Sequence, residues 1–239
     1  MPYRRLPTTD AARMRALRAA AIMAETTGLN RLAYSPQYIH PIRNLVQRLE
    51  GAQHEQTQAR NNLMRLNRDF QPILTKTRLY LSHFIQVLNL AIQRGEIPNE
   101  ARTFYNLPGD ENRLPTLRTE QEILEWGEKI IEGENARIKT GGVPVMNPNI
   151  ARVKVWYDQF KDSYYFQITA SKSAKRANQK LQELRAEIDG LIKNVWDEVE
   201  KYFQEEAGDE VHDRAIQYGV VYVLRPNEKK SRNNPASEN

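Results

Sequence analysis

No cysteine occurs among the 239 residues, which removes both a disulfide framework and every thiolate metal site. No apolar run approaches the roughly 20 residues that a membrane-spanning helix requires. The longest near the N-terminus, Ala19 to Ala24, is too short for a signal-peptide core and follows Arg13, Arg15 and Arg18. It reads as part of an amphipathic helix, not a secretory leader. These absences predict a cytoplasmic protein with no membrane span.

Glycine is scarce, at 11 residues, and no G-x-G-x-x-G triplet exists, so a dinucleotide fingerprint is excluded. The glycine pair in "KTGGVPVMNPNIA", residues 139–151, lacks the Lys and the Ser or Thr with which a phosphate-binding loop closes. It follows a helical pattern and precedes Asn149. We read it as a structural corner, with a left-handed helix stop and a cap for the next helix.

Histidines number four. "HEQTQ" at 54–58 starts like a zinc-binding helix but has Gln58 where the second ligand must stand. No E-x-x-H pair points to a carboxylate-bridged metal pair. "DEVHD" at 209–213 sets three carboxylates around His212 and reads as an exposed helix end. No G-x-S-x-G or S-x-x-K sets up a nucleophile. Neither a catalytic residue, a metal ligand nor a cofactor site is predicted, and no small-molecule ligand is implied.

What the chain has in quantity is helical periodicity. "TTDAARMRALRAAAIMAETTG" starts with Thr8 or Thr9 as N-cap and stops at Gly28. From Ile42 to Ala91 apolar residues keep a coiled-coil-like heptad rhythm, interrupted at the seam only by Gln56 and Thr77. Pro72 falls off that seam, so this helix is either continuous or broken there. Prolines 98, 108 and 115 make 96–118 an irregular link, with a helical turn around "NEARTFY". "TEQE" at 119–122 is a capping box for a helix running to Gly141. A second long seam runs from Ile150 to Phe203, fading between Thr169 and Ser173. Gly208 is expected to end it. Ser171 and Asn178 interrupt it, as Gln56 and Thr77 interrupt the first, which favours an intramolecular bundle over a continuous two-stranded coiled coil. Val220 to Val223 have strand propensity, and "PYRRL" at 2–6 is the one extended-looking partner.

The net charge of +5 is uneven. Residues 1–118 hold 17 Lys+Arg against 9 Asp+Glu, and 119–239 hold 18 against 21. Two readings follow: a basic half that folds against an acidic half, or a basic surface for nucleic acid. The second would use Arg4, Arg5, Arg13, Arg15 and Arg18, with Lys172, Lys175 and Arg176 near an aromatic group. In that group Tyr157, Phe160 and Tyr164 fall on the seam; Trp156, Tyr165 and Phe166 do not. Glu122, Glu125, Glu128 and Glu132 share one helix face, which reads as solvated.

Five stretches resemble a family of uncharacterised, mostly helical bacterial proteins: "PYRRLPTTDAAR", "TEQEILEWGEKIIEGE", "GGVPVMNPNIA", "WDEVEKYF" and "YGVVYVLRP". The resemblance implies a single family unit over nearly the whole chain and carries no activity. The expected fold is an all-α, elongated helical bundle over 1–226. It comprises two long helices, two shorter ones and a short extended C-terminal segment, with a disordered polar tail at 227–239. The expected function is a non-enzymatic structural or protein-interaction role, through a protein partner or self-association. The alternatives are the nucleic-acid reading and an enzyme with a carboxylate site between helices.

Overall fold

The computed structural model describes residues 3–107, 114–206 and 211–224. Among them the fold is all-α, with one two-stranded ribbon. Strand β1 (Tyr3–Arg4) precedes α1 (Asp10–Thr26), α2 (Ile39–Gln93), α3 (Glu120–Lys139), α4 (Ile150–Glu206), the short α5 (Val211–Gln217) and β2 (Tyr222–Val223). Both long helices are unbroken, with 55 residues in α2 and 57 in α4. Pro72 lies inside α2 at an exposed position, where water can replace the amide that proline cannot supply. The tail at 227–239 and Gly208 lie outside the described residues.

Local chemistry sets the boundaries. The Thr9 hydroxyl accepts from the Ala12 amide at 3.2 Å and opens α1. Thr119 and Glu122 form the expected reciprocal box, and Asn149 accepts from the Arg152 amide at 3.0 Å to open α4. At the corner after α3, the Gly141 amide bonds the Ile138 carbonyl and the Gly142 amide bonds that of Arg137, both at 3.0 Å. Gly141 is left-handed, with φ +94°. That is a Schellman stop, so the glycine pair ends a helix. The turn around "NEARTFY" is a 3-10 helix over Asn99–Tyr105.

The chain packs into two compact units, one from its two ends (up to Gln58 and from Lys175 onward) and one from Ala59–Ala174. The residues expected to form one bundle thus supply two cores. In the first unit, Leu45 and Leu49 of α2, Leu181, Ile188 and Val199 of α4, and Leu17 and Ala20 of α1 belong to one buried core. Gln56, which interrupts the seam, donates to the other interrupting amide, Asn178, at 2.8 Å. β1 pairs antiparallel with β2, Tyr3 opposite Val223 and Arg4 opposite Tyr222. The extended N-terminal segment is therefore the partner of the valine-rich run. Of that run only Tyr222 and Val223 form the strand, and residues 215–217 close α5.

In the second unit, Phe70 and Phe84 of α2 pack with Val153 and Phe160 of α4 and with Ile123 and Ile130 of α3. Leu81, Ile85 and Leu88 are buried as well, off the heptad seam. They join a cluster with Ala101, Tyr105 and Ile130, so α2 is covered here on a second side. Thr77 is fully buried; its hydroxyl is shared between the carbonyls of Ile73 (2.8 Å) and Trp156 (2.9 Å). At Gly127 an added Cβ would fall 2.2 Å from the Tyr157 ring, which only a bare backbone allows.

Candidate functional site

The N-terminal arginines separate by partner. Arg4 pairs with Asp197 at 2.6 Å and Glu200 at 2.9 Å. Arg13 is buried and clamps Asp189 with two bonds of 2.8 and 2.7 Å. Arg18 meets Glu50 at 2.5 Å. Three of the five proposed nucleic-acid contacts thus hold counter-charges within the fold. Arg5 and Arg15 are exposed and have no carboxylate partner among the described residues. Lys172, Lys175 and Arg176 are exposed on α4.

The Arg13 cluster ties α1 to α4. Asp10 takes two bonds from Arg185, at 2.7 and 2.6 Å, and one from Arg13 at 3.2 Å. The Arg185 hydrogen bonds outweigh burial and, with the neighbouring positive charges, hold the Asp10 carboxyl below the usual aspartate range. A lowered folded-state pKa means that stability is gained above the ordinary value of about 3.9 and lost as pH falls through the lowered one. Asp10→Asn is therefore expected to cost about 1–2 kcal/mol at neutral pH. That gap should close on acidification below about pH 4. Urea unfolding at a series of pH values measures it, and a gap that persists at the acid end would contradict the assignment.

Arg5 and Arg15 stand at a cleft of about 480 Å³ in the first unit. One wall is the α1 face carrying Ala12, Ala16 and Ala19, three small residues at helical spacing. The other runs from Ile216 through Gly219 to Val221 and β2, and Trp196 is also part of the lining. The walls sit where they do because the Arg5 amide bonds the Val221 carbonyl at 2.8 Å. Gly219 also adopts φ +87°, and a Cβ added there would fall 3.0 Å from the Ala16 Cα, tighter than a side chain comfortably allows. Ile216 is 50% exposed and Val221 48%. The volume is that of an ordinary ligand pocket.

The carboxylates are arranged otherwise than in a catalytic pair. Glu125, Glu128 and Glu132 are exposed. Glu122 accepts from the Thr119 amide, the Thr116 hydroxyl and the Arg118 amide, which push its carboxyl down to about 2. Among the described residues the buried carboxylate is Glu134, absent from the row read in the sequence. Its Oε1 accepts from Arg137 Nη2 at 2.9 Å and the Val145 amide at 2.8 Å. Its Oε2 accepts from Arg137 Nε at 2.9 Å and from the Tyr105 hydroxyl. Burial, then the bond to Glu134, raises the Tyr105 phenol above its usual range, so it remains a donor. All four lone pairs of Glu134 are engaged, which suits a structural joint and leaves none for proton transfer.

His54 hydrogen-bonds Gln58 at 2.8 Å, and the His212 ring meets Tyr222 edge-on at 4.4 Å. Asp209 and Glu210 lie outside the described residues. Among the described residues no three His, Asp or Glu side chains converge on a metal-sized site. No helix there is long and apolar enough to cross a membrane.

Sequence reasoning missed the cleft, because its walls come from opposite ends of the chain. The Ala12–Ala16–Ala19 spacing was its one local trace. Neither a family model, a curated protein nor a solved structure matches the chain.

Proposed function

We propose that this chain is a non-enzymatic, cytoplasmic protein-interaction module whose terminal unit receives a short apolar segment bearing a carboxylate. The observation that carries this reading is the cleft between α1 and the β1–β2 ribbon, with Arg5 and Arg15 at its rim. Ile216 and Val221 expose apolar area to water that a partner would cover. The two unpaired guanidiniums favour an acidic group beside it, since a fork of donors matches a carboxylate. The remaining N-terminal arginines are already engaged, so the positive rim is local.

Selection from a displayed library of short peptides against the full chain tests the proposal. Enriched sequences should combine large apolar residues with Asp or Glu. Ile216→Glu, at an exposed position, should weaken them by roughly tenfold or more through like-charge and desolvation costs. Arg15→Glu should do the same with little effect on folding. Enriched peptides that bind both variants as well as the parent would place recognition elsewhere and end this reading.

A further inference from the structure

Charge balance fails along one part of the two long helices. Residues 56–68 of α2 and 163–182 of α4 contain no Asp or Glu, but three and four basic residues respectively. Within the second unit these are Arg60, Arg65, Arg68 and Lys172, all exposed. Arg68 shares its charge with Asp69 at 3.1 Å. Among the described residues Arg65 bonds the neutral Asn62, at 3.1 Å, and no carboxylate.

The same stretch exposes aromatic rings. Phe166 is 65% exposed and Tyr165 52%. The other aromatics of this helix have partners. Phe160 stacks on Phe70 and on Tyr164, and Trp156 stacks on Tyr80 with the Lys76 ammonium 4.6 Å above it. Tyr165 touches Tyr164 by an edge, leaving most of its ring in water. Tyr165, Thr169 and Lys172 follow the i, i+4, i+7 spacing of one helix face. The Gln167 amide donates to Asn67 at 2.8 Å, which sets the turn of α4 that carries Phe166 level with the Arg65–Arg68 turn of α2. Amides of Asn61, Asn62 and Asn67 stand among the cations.

We infer that this stretch binds single-stranded nucleic acid, with phosphates on Arg60, Arg65 and Lys172 and bases stacked on Phe166 and Tyr165. The cations repel a second copy of the same surface and require an anion. The rings require a flat π-face, which an unpaired base presents and a duplex hides. Stacking is tolerant of base identity, so binding without marked sequence preference is expected. This surface differs from the cleft and does not depend on it.

The test is fluorescence anisotropy of the full chain with labelled oligothymidylate, its duplex with oligoadenylate, and phosphatidylserine vesicles. Three phosphate contacts give a log–log salt slope of about −2 for a single strand, so a roughly fourfold rise in salt should weaken binding by about 20-fold. Phe166→Ala should weaken it roughly tenfold with the slope unchanged. Lys172→Ala should lower the slope by about 0.7. Arg5→Glu and Arg15→Glu should leave it alone, which separates this site from the cleft. Because Phe166 is exposed, its variant should keep the parent's unfolding midpoint, and any loss of binding is then local. Three results would each overturn the inference: no binding at low salt, duplex held as tightly as single strand, or vesicles preferred over the oligonucleotide.

Discussion

Replacing Glu134 by alanine is expected to cost the second unit about 3–5 kcal/mol, seen as a large fall in its urea midpoint. The side chain is fully buried, and Arg137, its partner, is 4% exposed. Removing the carboxylate leaves a guanidinium out of water with no counter-charge. It also leaves the Tyr105 hydroxyl and the Val145 amide without their acceptor. The joint ties three segments together: α3, the 3-10 turn ending at Tyr105, and the loop from Val143, whose carbonyl takes Arg137 Nη2 at 2.7 Å. Gly133 shows how close the turn lies, since a Cβ there would come within 2.5 Å of the Phe104 carbonyl oxygen. The double change Glu134→Leu with Arg137→Met should recover much of the loss, because a packed apolar pair carries no desolvation cost. A single variant as stable as the parent would mean that water reaches this site.

That joint also marks the limit of what the sequence disclosed. Helix ends were readable because each is decided within a few residues: Thr9, the Thr119 box, the Gly141 stop and the Asn149 cap all act on their own backbone. The ribbon was readable because the valine run needed a partner and few extended segments offered one. Leu81, Ile85, Leu88 and Trp196 could not be assigned to a core from the heptad alone, since their burial depends on a second neighbour whose docking leaves no mark in local spacing. Glu134 did leave one. Ile123, Gly127, Ile130, Glu134 and Arg137 fall at successive helical intervals on the buried stripe of α3. A carboxylate and a guanidinium three residues apart on an apolar face are a sign of a buried pair. The row Glu122, Glu125, Glu128 and Glu132 is just as regular, but Glu125, Glu128 and Glu132 face water and Glu122 caps its own helix. Charge counting by halves anticipated that arginines of the first half would meet acids of the second, as Arg4 and Arg13 do, whereas Arg18 meets Glu50 of its own half. It could not locate Arg60, Arg65 and Lys172, which meet no carboxylate among the described residues.

Phe160→Ala is expected to cost about 3–5 kcal/mol, while Phe166→Ala, six positions along the same helix, should change stability by less than about 0.5 kcal/mol. The residue type is the same and the helix is continuous, so the contrast isolates burial. Phe160 is fully buried, with ring centroids of Phe70 and Tyr164 at 5.7 and 5.9 Å. Truncation removes a large apolar side chain from between them, leaves a cavity in a tightly packed core, and breaks two aromatic contacts worth about 0.5–1.5 kcal/mol each at most. Phe166 has 65% of its surface in water already, and alanine there loses little burial while gaining helix propensity. Urea unfolding of both variants gives the stability difference, and oligothymidylate binding supplies the reverse comparison, falling for Phe166→Ala at unchanged stability. Equal stability losses at the two positions would place Phe166 in a core and remove the stacking surface with it.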